Sequence, residues 1–146
     1  MARVKRLQPV MALAEQSTQS ALGKVSQANA ILLQDKRQLN DLLQYRNEYI
    51  ARLRDNDTVS VSAKKALGLR GFLQQVEQAI IAQQQKVSAQ QSQLKVAQQC
   101  WQQVKHKEQA IRSLMTRYHQ QEAQHAAKQE QRQADERNTV MWQRKE

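Results

Sequence analysis

What this chain has little of excludes most classes of protein at once. It holds one cysteine, one proline and three glycines in 146 residues, and its aromatics amount to 4%. A single cysteine, Cys100, forms no disulfide within the chain, so a small stapled fold is excluded and a reducing cytoplasm is the simplest setting. So few aromatics cannot fill a large globular core. So few helix breakers leave helices free to run long. No stretch of 18 apolar residues is present, which excludes a membrane-spanning helix. The first residues, Met-Ala-Arg-Val-Lys-Arg-Leu-Gln-Pro, carry charge without an apolar core, unlike a secretory signal.

What the chain does have is a repeating step. Moving by 3 and 4 from residue 4 gives Val4, Leu7, Met11, Ala14, Thr18, Ala21, Val25, Ala28, Leu32, Asp35, Leu39, Leu42, Arg46, Tyr49 and Leu53. The same stepping from residue 69 gives Leu69, Leu73, Val76, Ile80, Gln83, Val87, Gln90, Leu94, Ala97, Trp101, Val104, Glu108, Ile111, Met115 and Tyr118. Each ladder has fifteen rungs, twelve of them apolar. A 3/4 alternation is the seam of helices winding around one another. Two equal seams in one chain predict an all-α fold, a single long antiparallel two-helix coiled-coil hairpin. Most of the 28 glutamines lie off the seams, where they favour helix without burial.

The breaks set expected boundaries. Pro9 is tolerated in a first helical turn, so helix 1 is predicted over about 9–54, with Val4 and Leu7 on an irregular lead-in. Asp55 through Ser62 mix turn formers with β-branched residues and mark the tip. Ser62 is a candidate cap, and Gly68 and Gly71 predict a short helix or kink, so that tip and short helix occupy about 55–71. Helix 2 is predicted over about 72–136. The rungs after Tyr118 are Glu122, His125, Gln129, Arg132 and Glu136, none apolar. From about 119 the chain should therefore overhang as a lone, fraying helix or be disordered, with a tail at 137–146 that carries the apolar cluster Val140, Met141 and Trp142. If the seams align from the tip, facing rungs have numbers summing to about 122. That sets Trp101 against Ala21, Leu94 against Ala28, Asp35 near Lys86 and Arg46 near Glu77.

No catalytic constellation stands out. His106, His119 and His125 lack the i, i+4 spacing of a helical zinc site, and Gly68 and Gly71 form no phosphate loop. Carboxylates number 13 and are scattered. The chain reads as a non-enzyme with no metal or cofactor. The formal charge of +10 is spread along the whole length and draws anionic partners without choosing among them.

Three aromatics lie near the tip. Tyr49 is a rung, but Tyr45 and Phe72 sit beside the seam. Gln38, Leu42, Tyr45 and Tyr49 make a second strip on helix 1, and Phe72, Val76, Ala79 and Gln83 make one on helix 2. Such a strip either widens the core or forms a docking face.

The block Gln44-Tyr45-Arg46-Asn47-Glu48-Tyr49, with Gln38, Leu39 and Leu42 before it, resembles the helix 1 signature of the FliJ family of bacterial flagellar export proteins. Phe72, Glu77-Gln78-Ala79-Ile80, Trp101 and a Gln/Lys-rich tail with Asp135-Glu136 extend the likeness over essentially the whole chain. The resemblance implies a coiled coil similar to the central stalk (γ) subunit of rotary ATPases. It implies three partners: a hexameric flagellar export ATPase, the cytoplasmic part of the membrane export-gate protein, and export chaperones. The gate-binding face carried over by position is Gln38, Leu42, Tyr45, Tyr49, Phe72, Val76, Ala79 and Gln83, although family members can hold histidine in place of Gln83. The ATPase-binding region would fall at the other end, over Met11, Ala14, Thr18, Ala21, Tyr118, Glu122 and Arg132. The resemblance further implies a cytoplasmic protein, monomeric alone and peripherally associated with the inner-membrane export apparatus. Two other readings stand beside it. One is a generic intermolecular coiled-coil adaptor, which sedimentation would separate from a hairpin. The other is a basic nucleic-acid-binding rod, for which the charge makes no continuous stripe and the aromatics make no stacking platform.

Overall fold

A computed structural model describes residues 2–56 and 63–145, without the side chains of 55, 56, 63 and 145. Its described residues form two helices, α1 (Ala2–Asn56) and α2 (Ala63–Lys145), packed against each other without strands. The chain divides into two compact units. A central unit spans Ala21–Cys100, and a terminal unit combines Met1–Ser20 with Trp101–Glu146.

Burial follows the two ladders rung for rung. All thirty rungs are buried or half-buried. Off the ladders, only Leu43, Ile50, Ala66, Leu114 and Glu122 are other than exposed among the described side chains. Among the described side chains the most enclosed are Val4, Met11, Leu32, Asp35, Val76, Ile80 and Val87, and no large one is completely buried. Two helices share a single strip, so each rung is covered from the front and open along its flanks.

Within the central unit the helices run antiparallel. The Lys86 ammonium lies 3.7 Å from the Asp35 carboxylate. The Gln83 side-chain amide donates to the Asp35 carbonyl at 2.9 Å, and that of Gln90 to the Ala28 carbonyl at 3.3 Å. The expected approach of Asp35 to Lys86 is therefore present. The expected pairing of Arg46 with Glu77 is not: Arg46 is half-buried, and its Nε is enclosed without a hydrogen-bond partner. Arg46 is a rung and turns its stem into the seam, whereas Glu77 is exposed on the flank.

Within the terminal unit the two helices also pair across the seam. The Thr18 hydroxyl lies 3.0 Å from the Ala14 carbonyl and 3.5 Å from the Val104 carbonyl across the seam. Arg112 pairs with Glu108 on its own helix at 2.9 Å and reaches Glu15 at 3.5 Å. The Arg3 guanidinium lies 5.4 Å from the centre of the Tyr118 ring.

Three boundaries differ from the sequence reading. Helix α1 begins at Ala2, so Val4 and Leu7 are helical and Pro9 lies inside the helix. An interior proline costs roughly 3 kcal/mol. Val4 is 5% exposed and Met11 9%. Burial of such side chains returns about 1.5–3 kcal/mol each, so the turns on both sides of Pro9 hold the helix through it. Helix α2 begins at Ala63, with no separate short helix before residue 72. Gly68 and Gly71 are exposed, and half-buried Ala66 and Leu69 anchor the same turns to the seam. The candidate cap Ser62 and residues 57–61 of the expected tip lie outside the described residues. Finally, α2 continues to Lys145, past the limit of 136 and through the expected tail. Every described side chain from Ala123 onward is exposed. The stretch has neither glycine nor proline and is rich in Ala, Gln, Arg and Glu, so propagation from an existing helix carries it on without a partner.

Candidate functional site

The seam is narrow and filled, so any recognition chemistry belongs to its flanks. In the central unit the flank beside the last turns of α1 holds the aromatic group. The seam places Tyr49 inward and half-buried, and puts Tyr45 one turn back and to the side, where it is 48% exposed. Phe72 stands beside rung Leu73 on α2 and is 37% exposed. The Phe72 ring centre lies 4.9 Å from that of Tyr49 at 58°, and 6.3 Å from that of Tyr45 at 77°, edge to face. Such geometry matches the aromatic quadrupoles and contributes about 0.5–1.5 kcal/mol per pair beyond burial. Phe72 is thus braced on one side by the seam and offers its other side to solvent with Tyr45.

Toward the middle of the chain this group is followed by a polar layer. Gln83 is half-buried and its amide nitrogen spans the Asp35 carbonyl and, at 3.4 Å, the Gln38 side-chain oxygen. Asp35 is 4% exposed, and one of its carboxylate oxygens is enclosed without a hydrogen-bond partner.

The eight residues of the expected gate-binding face therefore divide. Gln38, Tyr45, Phe72 and Ala79 are exposed. Leu42, Tyr49 and Gln83 are half-buried rungs that support them, and Val76, 8% exposed, is a core residue. Of the expected ATPase region, Met11, Ala14, Thr18, Tyr118, Glu122 and Arg132 belong to the terminal unit, while Ala21 belongs to the central one. Met11 is buried, Ala14, Thr18, Tyr118 and Glu122 are half-buried, and Arg132 is exposed. Where α1 begins, an open groove of about 840 Å³ runs along α2, lined by Ala2, Arg3, Tyr118, Glu122 and His125 among others. Sequence reasoning missed this groove, although it begins where the second ladder turns polar. It also missed Leu67, two positions before the first rung of α2 and 69% exposed.

The comparisons with known proteins meet this geometry at one point. The family model described as "Flagellar FliJ protein" matches residues 3–146, nearly the whole chain. The chain belongs to the FliJ family. A search of curated proteins and one of solved structures return no match. Membership in the FliJ family makes this a flagellar, export-related protein of a non-enzymatic family. Among the described residues no three His, Cys, Asp or Glu side chains gather into a metal-holding group, and no described helix is long and apolar enough to cross a membrane.

Proposed function

We propose that this FliJ-family chain is the central stalk of the bacterial flagellar type III export apparatus. In this reading it binds the hexameric export ATPase ring, promotes ring assembly and hydrolysis, and links the ring to the cytoplasmic domain of the membrane export gate. It also escorts empty export chaperones and works peripherally at the inner membrane. The observation that carries the reading is the exposed aromatic pair, Tyr45 and Phe72, packed edge to face with Phe72 resting on the half-buried Tyr49 at the edge of the seam. Rigid, half-exposed aromatics lose little entropy on docking and anchor interfaces well. The terminal unit supports the other half. There α2 continues beyond the start of α1 as a bare helix whose exposed surface is mostly polar and charged up to the apolar cluster Val140, Met141 and Trp142, and is open to contact by a partner.

Two measurements test it. Titrating the chain into its cognate export ATPase should raise hydrolysis and shift the enzyme toward hexamers; a flat response through stoichiometry would remove the stalk role. The double variant Tyr45→Ala, Phe72→Ala should weaken binding to the gate domain at least tenfold with helicity retained. A loss of helicity would mean instead that the pair is structural.

A further inference from the structure

Where its helices pair, the terminal unit has a seam and two flanks. Arg112 reaches Glu15 at 3.5 Å, and each of the two follows a rung, Ile111 and Ala14. Residues that follow a rung therefore turn to one flank, and residues that precede a rung turn to the other. The same rule brings Tyr45 and Phe72, which precede Arg46 and Leu73, edge to face in the central unit. The two flanks of the terminal unit differ in chemistry. On the following side Arg112 is answered by Glu15 and by Glu108, and the positions from Lys5 to Gln19 and from Lys105 to His119 hold no large apolar residue. On the preceding side α1 presents Arg3, Arg6, Val10 and Leu13 in steps of 3 and 4, and α2 presents Lys107, Leu114 and Arg117. The preceding positions from Arg3 to Ser17 and from Gln103 to Arg117 hold no carboxylate.

We infer that this acid-free flank of the terminal unit docks directly on an anionic phospholipid surface. Arg3, Arg6, Lys107 and Arg117 are all exposed. Val10 is 44% exposed and Leu13 65%, while Leu114 is half-buried although it lies off the ladder. The Arg3 guanidinium stands over Tyr118, and Thr18 lies against the Val104 carbonyl, so Val10 and Leu13 fall between the levels of Arg117 and Lys107. Aliphatic side chains thus occupy the middle of the flank, with three cations toward one end and one toward the other. That arrangement matches a bilayer interface: the cations meet phosphates at the headgroup level, and Val10 and Leu13 enter the acyl boundary between them. A partner helix would need anchors that continue every 3 or 4 residues, and the strip on α1 turns polar at Arg6 and at Ser17. Nucleic acid would satisfy the cations and leave Val10 and Leu13 unused. The inference stands apart from the stalk reading, because vesicles contain neither ATPase nor gate domain and failure in one test leaves the other intact.

The experiment is co-sedimentation of the full chain with vesicles of phosphatidylcholine alone and of phosphatidylcholine with an equal part of phosphatidylglycerol. Binding is expected only to the anionic vesicles and should fall steeply with salt. Removing one cation near such a surface lowers partitioning about fivefold. The variant Arg6→Gln, Arg117→Gln should therefore bind more than tenfold more weakly, and Leu13→Gln about tenfold more weakly at unchanged charge. Circular dichroism should show both folded, since all three side chains are exposed and glutamine is a good helix former. The reference variant Lys5→Gln, Lys105→Gln removes two exposed cations from the other flank of the same unit and should lose less than about twofold, because they stand beyond the screening distance of the surface. Equal losses for the two double variants, equal binding to neutral vesicles, or no effect of Leu13→Gln would each overturn the inference. So would tighter binding of duplex DNA than of anionic vesicles through Arg6 and Arg117.

Discussion

The central and terminal units are built from the same 3/4 step, yet they end differently. In the central unit the pattern on α1 meets a pattern on α2 along its whole length, down to the aromatic group at Tyr49 and Phe72. In the terminal unit the ladder of α2 ends at Tyr118 while the helix itself runs on, and its later positions are exposed from Ala123 to Arg144. The helix survives all the same. Helix formation and helix pairing are therefore separate outcomes here: propensity sustains the backbone in both units, and apolar rungs decide where it is partnered.

The largest test of that distinction compares neighbours on one helix. Ile80 is a rung and 4% exposed, while Ile81 beside it is 55% exposed. Ile80→Ala should destabilise by about 3 kcal/mol through lost burial and an unfilled gap. Ile81→Ala should change stability by less than about 0.5 kcal/mol. Chemical denaturation followed by circular dichroism measures both. Similar losses at the two sites would mean that stability does not reside in the seam.

The next test concerns a rung that breaks the apolar rule. The Asp35 carboxylate is buried, with one oxygen near Lys86 and the other without a partner, and Lys86 is largely exposed. Desolvating a carboxylate for one long, solvent-shared ion pair is a poor exchange. Asp35→Leu should raise stability by about 1–2 kcal/mol. The Gln83 bond goes to the Asp35 backbone carbonyl and survives the change. A buried polar rung can also hold the pairing of two helices in one register. If Asp35 does so, the Leu variant should form disulfides between engineered cysteines in more than one pairing. Higher stability with one pairing would assign Asp35 no part in specifying register.

These rungs also show how far the chain could be read before its structure. The seam was legible down to single residues, because only a 3/4 step places an apolar side chain on one face of a long helix. Asp35 and Lys86 were legible as a pair once the ladders were aligned. What escaped was set by competition between terms that no pattern ranks. Pro9 argued for a late helix start, and the burial of Val4 and Met11 on either side of it outweighed that cost. Gly68 and Gly71 argued for a break, and Ala66 and Leu69 held the turns. Arg46 and Glu77 were compatible in charge and numbering, but a rung and a flank position point in different directions. The candidate site was half legible. Tyr45 and Phe72 were visible as surplus aromatics, whereas the burial of Val76 and the cross-helix bonds of Gln83 needed coordinates.

Gly23 gives a smaller effect. It lies within α1 with no positive φ, and a methyl group there would meet nothing within 4 Å. Gly23→Ala should therefore stabilise by about 0.5–1 kcal/mol, mostly by restricting the unfolded chain. A destabilisation in the denaturation midpoint would reveal a close approach that the hairpin does not have.

The smallest effect on stability should come from the largest deletion, and it separates pairing from propensity most directly. Ending the chain after Glu122 removes a bare helical stretch and leaves every rung from Val4 to Tyr118 in place. Since exposed side chains contribute little burial, the denaturation midpoint should move by less than about 0.5 kcal/mol. The circular dichroism signal per molecule should nonetheless fall by the helix removed. If the overhang is also the part that meets the export ATPase, the shortened chain should lose its stimulation of hydrolysis while keeping its gate affinity. A large drop in the midpoint would mean that the exposed stretch feeds stability back into the seam, and the separation of helix formation from helix pairing would not hold in the terminal unit.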